Sequence, residues 1–235
     1  MFTWLRNLFG TFLNWFVSTT AWEMFARHFM AHLTFRIFGY TKFPLEKYFE
    51  VKAAFDKDPK AIYAFVLTDP ACLSFKLDRM LTKCDWAHAG IVVERNGHLY
   101  GWHMKSNGLN HWHLLDLLRE SDHFALLRIP IEGTDVQVAN DRLNTIINTP
   151  MVPYNFQFSM PTPVIEWLTE GKPLSLIGDK ALQSLKLYCS EFVFVIGVGL
   201  VKNPKFVARW DFGQNVFEPD DLYGSCSVVF EYNAK

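Results

Sequence analysis

Along the first forty residues, apolar side chains recur every three or four positions: Trp4, Leu5, Leu8, Phe9, Phe12, Leu13 and Phe16, with Arg6, Asn7, Thr11, Asn14 and Ser18 between them. That period belongs to an α-helix with one apolar side. Trp22, Phe25, Phe29 and Leu33 repeat it, so residues 2–38 predict a helical hairpin or a bent amphipathic helix. Residues 7–22 carry no charge, but they fall short of the roughly 20 apolar residues of a membrane span and are diluted by Asn, Ser and Thr. The start is too weakly basic, and Thr19-Thr20-Ala21 too poor a cleavage site, for a signal peptide. Such a segment suits a membrane surface or a partner protein, or it packs on the chain's own main domain.

Gly39 and Pro44 end that pattern. A short helix is expected over 45–55, closed by Asp58-Pro59, and a β-prone run over 61–67, closed by Thr68-Asp69-Pro70. Two strand-like runs, 86–94 and 98–104, flank Asn96-Gly97, the strongest short hairpin signal. If the residues flanking that turn pair, His88 faces the neighbourhood of Lys105, and His103 lies two residues away on the same face. A short helix over 114–119, a strand over 124–131 and a helix over 134–147 follow. Beyond them come an irregular aromatic loop over 150–163, a helix over 182–200 interrupted or entered near Tyr188, and a last strand over 227–232. No internal repeat is visible. The expected architecture is α+β, an antiparallel sheet packed on one dominant buried helix, with residues 1–44 as a helical segment and 45–235 as the main domain.

Composition narrows the function. The 235 residues are 50% hydrophobic, enough for a large core, and 23 basic residues balance 24 acidic ones. Nucleic-acid binding leaves a basic footprint, and none is present. The four cysteines, at 72, 84, 189 and 226, lack the close pairing of structural zinc sites, and the chain is too long to depend on disulfides. No cofactor or metal is expected. His111 and His113 in "HWH" could share one face of an extended segment, but no carboxylate or cysteine falls at companion spacing.

The chemistry centres on "LYCSEFVFV", residues 187–195. A cysteine in the first turn of a helix meets unpaired backbone N–H groups and the positive end of the macrodipole, both of which favour a thiolate. A buried packing role is the ordinary alternative for a lone cysteine. A histidine partner decides between the two, because a thiol nucleophile needs a base that a third polar group holds. His88, opening the strand "HAGIVV", and His103 across the hairpin are the candidates. Glu191 suits the first helical turn as a structural carboxylate.

Four segments in this order resemble the circularly permuted branch of the NlpC-like papain-fold hydrolases, which includes YiiX-like amidases and relatives of lecithin retinol acyltransferase. They are "HAGIVV" (88–93), "VPYNFQF" (152–158), "YCSEFV" (188–193) and "EPDDL" (218–222). The resemblance covers about residues 61–225. It implies a permuted papain-like domain with Cys189 as nucleophile, His88 as general base and His103 in the third position. Where YiiX-like members carry a glutamate or other polar group, this chain has Gly101-Trp102-His103, and the acyltransferase branch has Asn-Cys-Glu where this chain has Tyr-Cys-Ser-Glu. Tyr188 would supply or shape an oxyanion donor, beside the backbone N–H of Cys189. Tyr154 and Trp102 would line the substrate, although a strand tryptophan is more often core.

The leading expectation is a thiol hydrolase of an amide, of peptide or peptidoglycan type. A lipid-directed acyltransferase or esterase is the alternative. A third reading is an assembly or virus-particle component with a cell-wall-degrading or inactive domain, whose residues 1–40 bind a membrane surface or partner proteins. Nothing in the sequence sets the location in the cell.

Overall fold

In the computed structural model, the residues described are 44–68, 85–105, 108–149, 152, 170–172, 187–211 and 214–233. The expected helical segment over 2–38, Tyr154 and most of the aromatic loop, Cys72 and Cys84 lie outside them. The protein is α+β. Six strands form one antiparallel sheet in the order β4-β3-β2-β1-β5-β8. These are β1 (Tyr63–Thr68), β2 (His88–Arg95), β3 (His98–Lys105), β4 (Gly108–His113), β5 (His123–Arg128) and β8 (Ser227–Asn233). Strands β6 (Arg209–Asp211) and β7 (Gln214–Val216) make a separate two-stranded ribbon. Helices α1 (Pro44–Phe55), α2 (Leu114–Glu120), α3 (Asp135–Asn148), α4 (Cys189–Gly197) and α5 (Pro219–Ser225) complete the described elements.

The Asn96-Gly97 turn forms as its chemistry predicts. Both residues have positive φ, 52° and 79°, which matches the twist of a two-residue hairpin, and Arg95 pairs with His98. The ladder continues to Ile91 opposite Trp102, the register expected from the turn. Strand β5 ends at Arg128 rather than 131, because Pro130 has no N–H to give a ladder. Ile129 and Ile131 are buried nonetheless. Two elements differ more. Gly108–His113 is a full strand paired with β3, in a stretch between the expected 98–104 strand and 114–119 helix to which the sequence pattern assigned no element. The "EPDDL" segment, to which no element was assigned from the sequence, opens a two-turn helix, with Pro219 at a position that needs no N–H.

The pleat divides the sheet between two cores. On one side Ala64, Val66, Ala89, Ile91, Trp102 and Met104 pack with α3 and α4. On the other, Tyr63, Phe65, Val92 and Leu99 pack with α1 and α2. Every residue of α4 is buried, which suits a helix that is apolar all round beyond its polar first turn of Ser190 and Glu191. Burying Phe192, Val193, Phe194, Val195 and Ile196 contributes roughly 1.5–3 kcal/mol each relative to exposure. Gly197 lets the helix close on Phe206, whose ring a Cβ there would strike at 2.7 Å.

Candidate functional site

Helix α4 begins at the cysteine. Tyr188 is still extended, with φ −100° and ψ −178°, and its backbone N–H donates to Glu191 Oε2 at 3.1 Å. That bond is half of a capping box and explains why a glutamate follows the cysteine by two positions. The helix expected over 182–200 is therefore entered at 189, with 182–186 outside the described residues. Cys189 is in no disulfide, is 8% exposed and packs with Tyr188 and Val216, apart from the two large cores. The Tyr188 hydroxyl is committed to the backbone of Phe217, accepting from its N at 2.8 Å and donating to its O at 2.9 Å. Ser190 donates its hydroxyl to the same carbonyl. Burial first, then the nearby Glu191 carboxylate, pushes the Tyr188 phenol well above its ordinary pKa, so it stays protonated.

The hairpin brings the two histidines together. His88 Nε2 and His103 Nδ1 lie 2.6 Å apart, one nitrogen donating and the other accepting according to tautomer. Both rings are buried, at 6% and 1% exposure, on the Phe65 face, with Phe65 centred 6.3 Å from one and 6.2 Å from the other. Two glycines make room for that phenyl ring: a Cβ on Gly90 would stand 2.5 Å from Phe65 Cε1, and one on Gly101 2.9 Å from it. Burial, and secondarily the Lys105 ammonium, lowers the His88 pKa to about 3, so its imidazole is neutral at physiological pH. Lys105 Nζ lies over the Trp112 ring, which meets His103 edge to face.

The other sequence candidates fall elsewhere. Trp102 is 7% exposed, stacks on His111 and packs in the core beside α4, so it is a core residue rather than an open groove wall. Trp112, on the adjacent strand β4 opposite Gly101, is the tryptophan that meets His103. In "HWH", His113 Nδ1 accepts from Leu115 N at the start of α2, while His111 lies against Trp102. Among the described residues no three His, Cys, Asp or Glu side chains converge in a group able to hold a metal ion. Likewise, no helix among them is long and apolar enough to cross a membrane.

Two residues that sequence reasoning passed over organise the surroundings. Arg142, fully buried in α3, donates from Nη1 to the carbonyls of Val195, Ile196 and Val198 and from Nε and Nη2 to Lys172. It caps the C-terminal end of α4 with a cation, the sign the macrodipole favours there. Burial lowers its pKa to about 10, which leaves it charged at neutral pH. The second is Asp220, whose carboxylate oxygens each accept one backbone N–H, from Asp85 and Trp86, at 2.9 Å. Its only sequence signal was its place in "EPDDL".

No protein-family model matches the chain, and no curated protein does either. Among solved structures, it is similar to the metalloprotein YiiX of Escherichia coli O157:H7. The likeness has a TM-score of 0.50 and 14% identity, and covers 74% of this chain and 97% of that one. The architecture is consistent with a YiiX-like fold. Identity at that level is evidence of fold alone.

Proposed function

We propose that the protein is a thiol hydrolase of the permuted papain type that cleaves an amide bond, with Cys189 as nucleophile, His88 as base and His103 as the group that holds His88. The observation that carries the reading is the buried His88–His103 contact at 2.6 Å, on a strand whose entry is tied to the segment around Cys189. Phe217 holds Tyr188 and Ser190 on either side of the cysteine, and Asp220, three residues on, holds the chain two residues before His88. His88 is the first residue of β2 and Cys189 the first of α4; because the imidazoles face α1 and α2 while α4 packs on the other side of the sheet, the proposed pairing would be made at the element ends.

In this reading His88 takes the Cys189 proton on Nδ1, the ring nitrogen not turned to His103. The thiolate then attacks the carbonyl carbon, and the oxyanion that forms is met by the Cys189 backbone N–H. The imidazolium protonates the leaving amine, the thioester remains on Cys189, and water activated by His88 releases the acid. A site that keeps His88 neutral supplies the base form and admits the imidazolium only beside the thiolate. The solved neighbour is called a metalloprotein. Here the facing nitrogens of the two histidines engage each other and no third ligand side chain joins them among the described residues, so no step runs through a metal.

The histidine in the third position favours a second reading, a lipid-directed acyltransferase or esterase working by the same thiol chemistry. Residues 1–44 are proposed as the segment that would bring such a site to a membrane surface or into a larger assembly. The test is the pH dependence of Cys189 alkylation by iodoacetamide in the parent and in His88→Ala. A thiol reactive well below pH 8, with that reactivity lost in the variant, supports the pair. An ordinary thiol profile in both overturns it. Screening peptide amides against acyl lipids then separates the two readings.

A further inference from the structure

The two carboxylates that open α5 serve different ends of the molecule. Asp221 Oδ2 accepts from Glu218 N at 2.8 Å, the usual service of a first-turn carboxylate to its own helix. Asp220 instead reaches across the fold to the chain before β2. The β1–β2 backbone bonding extends to Ala87, whose N–H donates to Leu67 O, and the N–H groups of Asp85 and Trp86 lie beyond it. Both find their acceptor on Asp220. The same helix also holds that entry with a ring, because the Tyr223 ring is centred 5.0 Å from that of Trp86, which also meets the His123 ring at 4.0 Å. On the near side of α5, Phe217 carries the bonds to Tyr188 and Ser190.

We infer that Asp220 is a positioning residue that locks the entry of the His88 strand to the turn seating the Cys189 helix start. The inference rests on the thiol reading above and deepens it, since neither carboxylate oxygen is offered to a substrate. A carboxylate accepting two N–H groups in a fork fixes both distance and orientation, which one neutral acceptor does not. Only two residues separate Phe217 from Asp220, so slack at the carboxylate becomes slack between base and nucleophile. Misplacement by about 1 Å is enough to lose much of a general base's effect.

The experiment measures iodoacetamide alkylation of Cys189 against pH in the full chain, for the parent, Asp220→Ala, Asp220→Asn and Asp221→Ala, with melting curves for each. Asp220→Ala is expected to move the profile toward that of an ordinary thiol and to slow alkylation near pH 7 by roughly tenfold to a hundredfold. Asp220→Asn keeps one acceptor and should fall between. Asp221→Ala should lower the melting temperature and leave the profile in place. NMR of the His88 ring in the same variants gives a readout independent of thiol chemistry, and its signals should shift in both Asp220 variants. If the parent shows a His88-dependent thiol and the Asp220 variants keep its profile, the inference is overturned and the hydrolase reading stands. If the parent thiol is ordinary, the hydrolase reading falls. In that case unmoved His88 signals in Asp220→Asn overturn the inference as well, and shifted ones retain the lock as a property of the fold.

Discussion

The two sides of the six-stranded sheet are both dry, but they hold different things. Beside α3 and α4 the core is continuous hydrocarbon and aromatic surface, and the guanidinium of Arg142 is engaged by four backbone carbonyls. Beside α1 and α2 the same burial encloses two imidazoles. Burying a polar ring opposes folding unless its hydrogen bonds are met, and here each histidine supplies one partner for the other. Both sides bury apolar surface, and the second also encloses two imidazoles, one of which burial keeps neutral. A buried perturbed group with a specific partner is a candidate for a functional site.

The contrast can be tested most severely on the hydrocarbon side. Phe192→Ala should lower stability by about 3–5 kcal/mol in denaturant titration, because a fully buried ring leaves a cavity that α4 cannot fill. A loss near zero would mean that α4 is not the core element described. Arg142→Ala should cost about 1.5–3 kcal/mol, through carbonyls at the end of α4 left without a donor. On the histidine side, Gly90→Ala places a Cβ 2.4 Å from the Trp102 carbonyl and 2.5 Å from Phe65. It should cost about 1–3 kcal/mol and disturb the His88 ring signals, which Phe192→Ala at matched stability should leave alone.

A pH titration of stability separates the two sides more finely. The His88 pKa is about 3 in the native state, below its ordinary value of 6.5. Between those values the unfolded chain binds a proton that the native protein does not, so His88 makes stability rise with pH through that window and level off above 6.5. The slope from one such group is at most about 1.4 kcal/mol per pH unit. His88→Phe should flatten it, and an unchanged slope would show that the ring titrates normally. The smallest effect belongs to the surface. Lys52 bridges Asp56 and Glu94 in the open, and Lys52→Ala should shift stability by no more than about 0.5 kcal/mol.

The parts of the candidate site that were legible beforehand are those set by near neighbours in the chain. Asn96-Gly97 has one favourable hairpin geometry, and that geometry fixes the β2–β3 register and so the shared face of His88 and His103. Tyr188 to Glu191 carry their own helix start. Less was legible where a residue's partner is far along the chain. The "HWH" stretch did not announce a strand, since pairing with β3 is what makes Gly108–His113 extended. Trp102 and Trp112 were indistinguishable in sequence, yet the pleat sends one to the α4 core and the other to the histidines.

By itself, then, the amino-acid sequence determined the local pieces: a hairpin with its register, a helix apolar beyond its first turn that had to be buried, and a cysteine in that first turn. Each follows from backbone geometry and solvation within a few residues. Tertiary structure decided which face each piece buries and what meets at its ends. Arg142 reaches Val198 across 56 positions, and Asp220 reaches Asp85 across 135. Such bonds depend on the packing of whole elements, and no spacing in the chain encodes them.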